Sequence, residues 1–343
     1  AVTFTVGTYV PQTRGTSALD SLGVTSFSSR AFLHADGFPD EAQRFFGTEA
    51  DPVETISYSR SGSVASWLPS HEYYWPKSSA SYVNFFSWCG ANPVLSYAKT
   101  DEGKYAPTMT WSGFEVTSDL LYADAAWHFN ANAKTYLKEY DGAKVDEGVP
   151  TLFHHALSQV SFVGKQQEVE VTDNATNVSW AVKVTGLSLS GVVNKGTLTL
   201  STTEPDGTEP KTSEWTAVLT PETTATTTLP ATATTLDKDL STSSETELIG
   251  YTTVLPQTLT ESMVLTVNFT VTTTYTFTGG PKTVAEDVEK TVALTSGTGA
   301  VDKWDAGKQY KYTIIINPDA KAIKLIPKET DWTDMGEYPL TVE

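Results

Sequence analysis

The chain has 343 residues, 39% of them hydrophobic, and its 23 Lys and Arg against 41 Asp and Glu give a formal net charge of −18. That length is enough for two domains with cores of their own, and an acidic field of this size repels nucleic acid and anionic membranes, so nucleic acid is set aside as a partner. No run approaches the roughly 20 apolar residues that span a bilayer, and the single cysteine, Cys89, lies in an apolar run where it reads as a buried, inert thiol without a disulfide partner.

Taken in chain order, Val2, Phe4 and Val6 alternate as a core-facing strand, and the polar stretch Thr13-Arg14-Gly15 follows it. A second strand is expected from Val24 to Leu33, with Arg30 inside it. Pro39 to Phe46 is the best helical candidate, a short one, with Asp40 and Glu41 in its first turn and Phe45 and Phe46 facing inward. Tyr73-Tyr74-Trp75-Pro76 then packs three aromatics against a proline, and Val83-Asn84-Phe85-Phe86-Ser87-Trp88 follows as a strand-like run. These rings either build the first domain, with Trp75 and Phe85 in its core, or lie exposed as a sugar or partner contact formed by Tyr73, Tyr74 and Trp75.

The polar stretch from Ala131 to Gly148 separates an aromatic-rich half from a Thr-rich half, which places a domain boundary at Gly148 and divides the chain into 1–148 and 149–343. Beyond it, alternation recurs at Val178, Trp180, Val182 and Val184, and at Tyr310, Tyr312, Ile314 and Ile316. Its longest instance runs from Met263 to Phe277, apolar on one face and Thr-rich on the other, as one long strand or a bent pair. Ser213 to Thr246, dominated by Thr, Ala, Ser and Pro, reads either as a long loop or as solvated edge strand. Asp141-Gly142, Asn194-Lys195-Gly196, Pro205-Asp206-Gly207 and Gly279-Gly280-Pro281 supply the turns of an antiparallel, all-β architecture.

Chemistry-bearing patterns are sparse. His154 and His155 are adjacent, and neighbours on a strand point to opposite faces, so a structural role is expected and no metal. His34 and Asp36 share a strand face but lack further ligands, and the carboxylates carry no acid–base spacing. No cofactor and no enzyme activity are expected; a secreted hydrolase would need a cleft of converging carboxylates. Low Lys with abundant Thr and Ser fits a surface or secreted protein.

Four segments in order resemble the fimbrillin-like (type V pilin, Mfa-like) family of Bacteroidales cell-surface proteins. They are Val2-Thr3-Phe4-Thr5 leading to Thr13-Arg14-Gly15 and Leu22 to Phe32; Tyr74-Trp75-Pro76 with Val83 to Phe86; Asp119 to Ala123 with Val149 to Phe162; and Ala306 to Ile314 with Trp332 beyond. The resemblance implies two transthyretin-like antiparallel β-sandwich domains in tandem, export as a lipoprotein, and display on the outer membrane as a fimbrial subunit in cell adhesion. It implies other fimbrial subunits as partners through donor-strand exchange, after an arginine-specific protease cuts between Arg14 and Gly15 and the strand of Val2, Phe4 and Val6 within residues 1–14 is displaced. The apolar alternation of that strand is consistent with this, since its loss would open a groove and unpair backbone groups. Arg30 is a second scissile candidate, and Arg14 can also be read as an ordinary charged loop residue. The short stretch from Thr333 to Glu343 points to a tip or accessory subunit. Asp20-Ser21-Leu22 resembles a short O-glycosylation signal of the same bacteria. The rival reading is a glycan-binding surface adhesin that does not polymerise.

Overall fold

The computed structural model describes residues 1–8, 25–38, 40–61, 64–130, 148–171, 177–222, 226–297 and 299–332. Within them every regular element is a strand. The first ten are β1 (Phe4–Thr8), β2 (Ser26–His34), β3 (Ala42–Arg44), β4 (Glu54–Ser61), β5 (Val64–Pro69), β6 (Tyr82–Cys89), β7 (Val94–Lys99), β8 (Tyr105–Glu115), β9 (Leu121–Ala123) and β10 (Ala125–Phe129). Then follow β11 (Val149–His155), β12 (Ser158–Gln166), β13 (Asn177–Val193), β14 (Lys195–Ser201), β15 (Lys211–Ser213), β16 (Thr216–Pro221) and β17 (Thr226–Asp239). The last are β18 (Thr246–Val254), β19 (Gln257–Thr258), β20 (Val264–Phe277), β21 (Gly280–Ala293), β22 (Lys303–Trp304), β23 (Lys308–Asn317) and β24 (Ala322–Asp331).

The strands form two sandwiches. In the first, a ten-stranded sheet in the order β15-β10-β6-β9-β11-β1-β5-β4-β2-β3 faces a four-stranded sheet, β16-β14-β8-β7. Because β6 also pairs with β2, the larger sheet bends round on itself, and eight of its strands send side chains into one cluster that includes Phe4, Phe27, Ile56, Trp67, Phe85, Leu121, Phe129 and Phe153. Its other face meets the smaller sheet through Phe86, Trp88, Trp111, Trp127 and Leu200. Strand β6 therefore alternates between two cores, Val83 and Phe85 into one and Phe86 and Trp88 into the other. This explains why its sequence reads as a nearly continuous apolar run and not as a half-buried strand.

In the second sandwich, β18-β12-β23-β24 faces β17-β13-β20-β21 across Phe162, Val184, Phe269, Tyr312 and Ile314. The Met263 to Phe277 alternation is a single strand, β20, paired along its length with β13 and β21. Residue 148 immediately precedes β11, which lies in the same sheet as β1, and β14 and β16 return from the Thr-rich half to pair beside β8 in the first sandwich. Trp332 also returns there, stacked on His155 with ring centroids 3.8 Å apart.

One expectation is corrected, and one open alternative is decided. Pro39 to Phe46 holds no helix among its described residues: Ala42, Gln43 and Arg44 pair with His34, Leu33 and Phe32 as β3, and burial of Phe46 against Phe4, Tyr73 and Phe85 outweighs the weak helical pattern. For Ser213 to Thr246, read either as a long loop or as solvated edge strand, the described residues give edge strand: β16 and β17 each lie at the edge of their sheet, and β16 is largely exposed.

Candidate functional site

The site built around the first strand has three layers: the strand, the backbone that receives it, and the aromatic and carboxylate scaffold at its entrance. Val2, Phe4 and Val6 are buried, as their period-2 spacing predicts. Phe4 is the centre, meeting Phe27 and Phe85 edge-on at 5.6 and 5.7 Å and Phe46 at 6.3 Å. Strand β1 runs parallel to β11 with Phe4 opposite Val149 and Thr8 opposite Phe153, whereas on its other side it meets β5 at one paired position, Phe4 to Trp67. The Val2 amide donates to the Tyr73 carbonyl at 2.9 Å, and the Val149 amide donates to the Thr3 carbonyl at 2.7 Å.

Gly148 is what lets β1 approach so closely. It has φ +127°, and a Cβ there would come within 2.5 Å of Thr3 carbonyl atoms and 2.6 Å of the Phe4 nitrogen. The sequence marks this glycine as a boundary; the fold uses it as the flat seat of the strand.

At the entrance, the three aromatics separate. Tyr73 and Trp75 pack on the first core, Trp75 edge-on to Phe85 at 5.9 Å, while Tyr74 is 65% exposed and donates to Glu72 at 3.0 Å. The Tyr73 hydroxyl accepts from the Gly47 amide at 3.0 Å and donates to Glu54 at 2.9 Å. Burial lifts that phenol above its ordinary range. Glu54 is buried, and burial alone would raise its carboxyl; hydrogen bonds from the Ser70 hydroxyl at 2.5 Å, from Tyr73 and from the His71 amide at 3.0 Å hold it below the ordinary value. Nothing in sequence spacing marks Glu54, because its partners converge only when β4 and β5 pair.

A second buried polar seam joins the two sheets of this sandwich. His34 Nε2 lies 2.8 Å from the Tyr97 hydroxyl, which also receives a bond from Asn84 at 2.8 Å. Asn84 accepts from the His128 amide at 2.7 Å, and His128 Nε2 meets Glu204 at 2.8 Å. The Glu204 carboxyl, which burial would raise, is held low by His128 and by the Tyr105 amide at 3.1 Å. These residues come from six stretches of chain, so no local motif signals them.

Arg30 lies within β2, paired to β4 and β6, and its guanidinium donates to the Leu95 carbonyl at 3.4 Å. Arg14, Gly15 and the Asp20-Ser21-Leu22 signal lie outside the described residues, as do 333–343. His154 and His155 take separate carboxylates, Asp124 and Asp119, each at 2.7 Å. His34 and Asp36 do not converge, since Asp36 is held by Ser78 and Ser81. Among the described residues no three His, Cys, Asp or Glu gather as a metal site. Burial, with the Asp119 charge adding to it, pushes the Cys89 thiol up to about 12.

Comparison with known proteins gives a family and a set of distant structures. A fimbrillin-like family profile matches residues 38–332. No curated protein matches the chain. Solved structures similar to it include a fimbrial protein of Bacteroides vulgatus, 15% identical with 97% of this chain and 100% of that one covered and a TM-score of 0.48. Another is a putative cell adhesion protein of Bacteroides uniformis, 16% identical over 97% and 98% of the two chains with a TM-score of 0.43. The tip fimbrial protein Mfa3 of Porphyromonas gingivalis, with a C-terminal truncation, is 9% identical over 90% and 94%, with a TM-score of 0.27. By the profile match, which spans most of its length, this chain belongs to the fimbrillin-like family.

Proposed function

We propose that this chain is a subunit of a bacterial cell-surface fimbria, in a structural or tip position, and that it supports adhesion. Family membership over residues 38–332 is the observation that carries this reading. The finer elements are export as a lipoprotein, attachment at the outer membrane, transthyretin-like topology in both sandwiches, and assembly by donor-strand exchange after an arginine-specific protease cuts at Arg14.

The seat of β1 supports strand exchange on physical grounds. Its three apolar side chains fill one core, so their departure would open a groove beside Phe27, Phe46 and Phe85, and would unpair the β11 backbone from Val149 onward. An incoming strand with the same alternation repairs both defects at once. Among the described residues β1 pairs with β5 at one position, which makes release of β1 less costly than release of a strand paired fully on both edges. Phe4 is the residue whose pocket a donor must fill.

The test is digestion of the purified full chain with an arginine-specific protease, followed by mass spectrometry and size analysis. Cleavage between Arg14 and Gly15 with the appearance of oligomers is expected, and Arg14→Ala should remain an intact monomer. A chain that stays uncut at Arg14 and monomeric overturns the exchange reading.

A further inference from the structure

The sheets of the second sandwich are unequal in length, and the mismatch leaves a furnished groove at one end. In the β13-β20-β21 sheet the inward-facing rows continue past the core. The row Val182, Val271 and Glu286 is succeeded by Trp180, Thr273 and Val284, and then by Val178, Tyr275 and Lys282. Val182 and Val271 are each 1% exposed, whereas Val284 is 46% exposed and Phe277, one row further out, 51%. The facing sheet has ended here, at the pairing of Asn317 with Ala322. Its closing turn stands over the extension as a wall made by Pro318, Asp319 and Lys321.

The space between floor and wall is about 300 Å³, at the small end of the range of ligand sites, roughly 300–1,000 Å³. Its floor is aromatic, with Trp180 against the core edge and Tyr275 stacked beside Phe277 at 6.2 Å. Thr273 adds a hydroxyl to the floor, and the rim is polar and hydrogen-bonding: the Asp319 carboxylate and the Glu286–Lys321 ion pair. Lys321 is set over the groove by a left-handed backbone, φ +50°, unusual for a residue with a side chain.

We propose that this groove binds a neutral saccharide, one or two pyranose rings in size. A sugar ring has a flat C–H face that suits an indole and a phenol, and hydroxyls at its edge that need both acceptors and donors. Aromatic floor, two carboxylates, one ammonium and one hydroxyl meet both demands. An anion is disfavoured, because the rim carries two carboxylates to one ammonium on a chain of net charge −18. A flat protein face is disfavoured by the turn, which stands in front of the floor and admits a small body more readily than an extended surface.

The experiment is saturation-transfer-difference NMR on the full chain with methyl glycosides of glucose, galactose, mannose and N-acetylglucosamine, each at about 10 mM, well above the 1 mM that corresponds to weak binding. Transfer from the protein to ring C–H protons of at least one glycoside is expected. Binding should weaken at least tenfold in Tyr275→Ala and in Trp180→Ala, and also in Asp319→Asn, an exposed-rim change that leaves the core intact; Tyr74→Ala should leave it unchanged. Silence across the four glycosides, or binding that survives both Tyr275→Ala and Asp319→Asn, overturns the proposal. So does sedimentation showing a self-associated chain that Tyr275→Ala dissociates, which would assign the groove to a second copy. The inference is independent of strand exchange: a monomer that never polymerises can still bind sugar here, and a polymer can fail to.

Discussion

Phe4→Ala separates a strand that is merely first in the fold from one that can leave it. The ring is 2% exposed and touches Phe27, Phe46 and Phe85, so truncation removes a full aromatic from a closed pocket at a cost of about 3–5 kcal/mol. If β1 opens as its own unit, that cost falls on local release of the strand and not on the whole sandwich. At 1.4 kcal/mol per factor of ten, the open state rises by about 10²- to 4 × 10³-fold. The reporter is hydrogen exchange at the Val149 amide, which donates to Thr3 and loses its partner when β1 departs. Its exchange should accelerate by that factor in Phe4→Ala, and an added peptide matching residues 1–8 should restore protection. Phe269→Ala, a 1% exposed site in the second sandwich, should lower thermal stability by a similar amount without accelerating Val149. Less than tenfold acceleration in Phe4→Ala, or equal acceleration in Phe269→Ala, refutes the reasoning.

The carboxyls of Glu54 and Glu204 both titrate lower in the folded chain than their ordinary value of 4.5, so their stabilising contribution is complete above that pH and is lost as pH falls below it. Acid titration followed by tryptophan fluorescence should loosen the first sandwich in that window, and Glu54→Gln should shrink the effect. Tyr73→Phe leaves the Gly47 amide and Glu54 each short of a partner and should destabilise the chain by about 1–3 kcal/mol in urea melts. Cys89, buried and with its thiol pushed up to about 12, should resist a thiol reagent in the native chain and react at once in denaturant. Trp332→Ala removes the ring stacked on His155 and should lower the melting temperature, at a cost of about 3–5 kcal/mol, while leaving Val149 exchange unchanged.

Strand character was legible where apolar and other residues alternate over several consecutive positions. Val2, Phe4 and Val6, the Met263 to Phe277 run and Tyr310 to Ile316 all alternate with period two, and each is a strand. The pattern failed at Ala42 to Arg44, a three-residue strand held by its pairing to β2, and at Ser213 to Thr246, where composition alone could not tell a loop from an edge. The Tyr73 to Trp88 aromatics were visible as a cluster, but their division into two cores and one exposed Tyr74 depends on the curvature of a sheet built from distant strands.

Local sequence thus determined the all-β class, the alternation of the first strand and, through its ordered segments, the family resemblance. Tertiary structure decided that Phe4 lies beside Val149, that Gly148 is the seat of a strand, and that Glu54 and Glu204 are held as buried acceptors. It also decided that the inner face of β13, β20 and β21 outruns the opposing sheet. The physical reason is that side-chain alternation is a property of neighbours in the chain, whereas pairing partners and sheet lengths are settled between residues far apart in sequence.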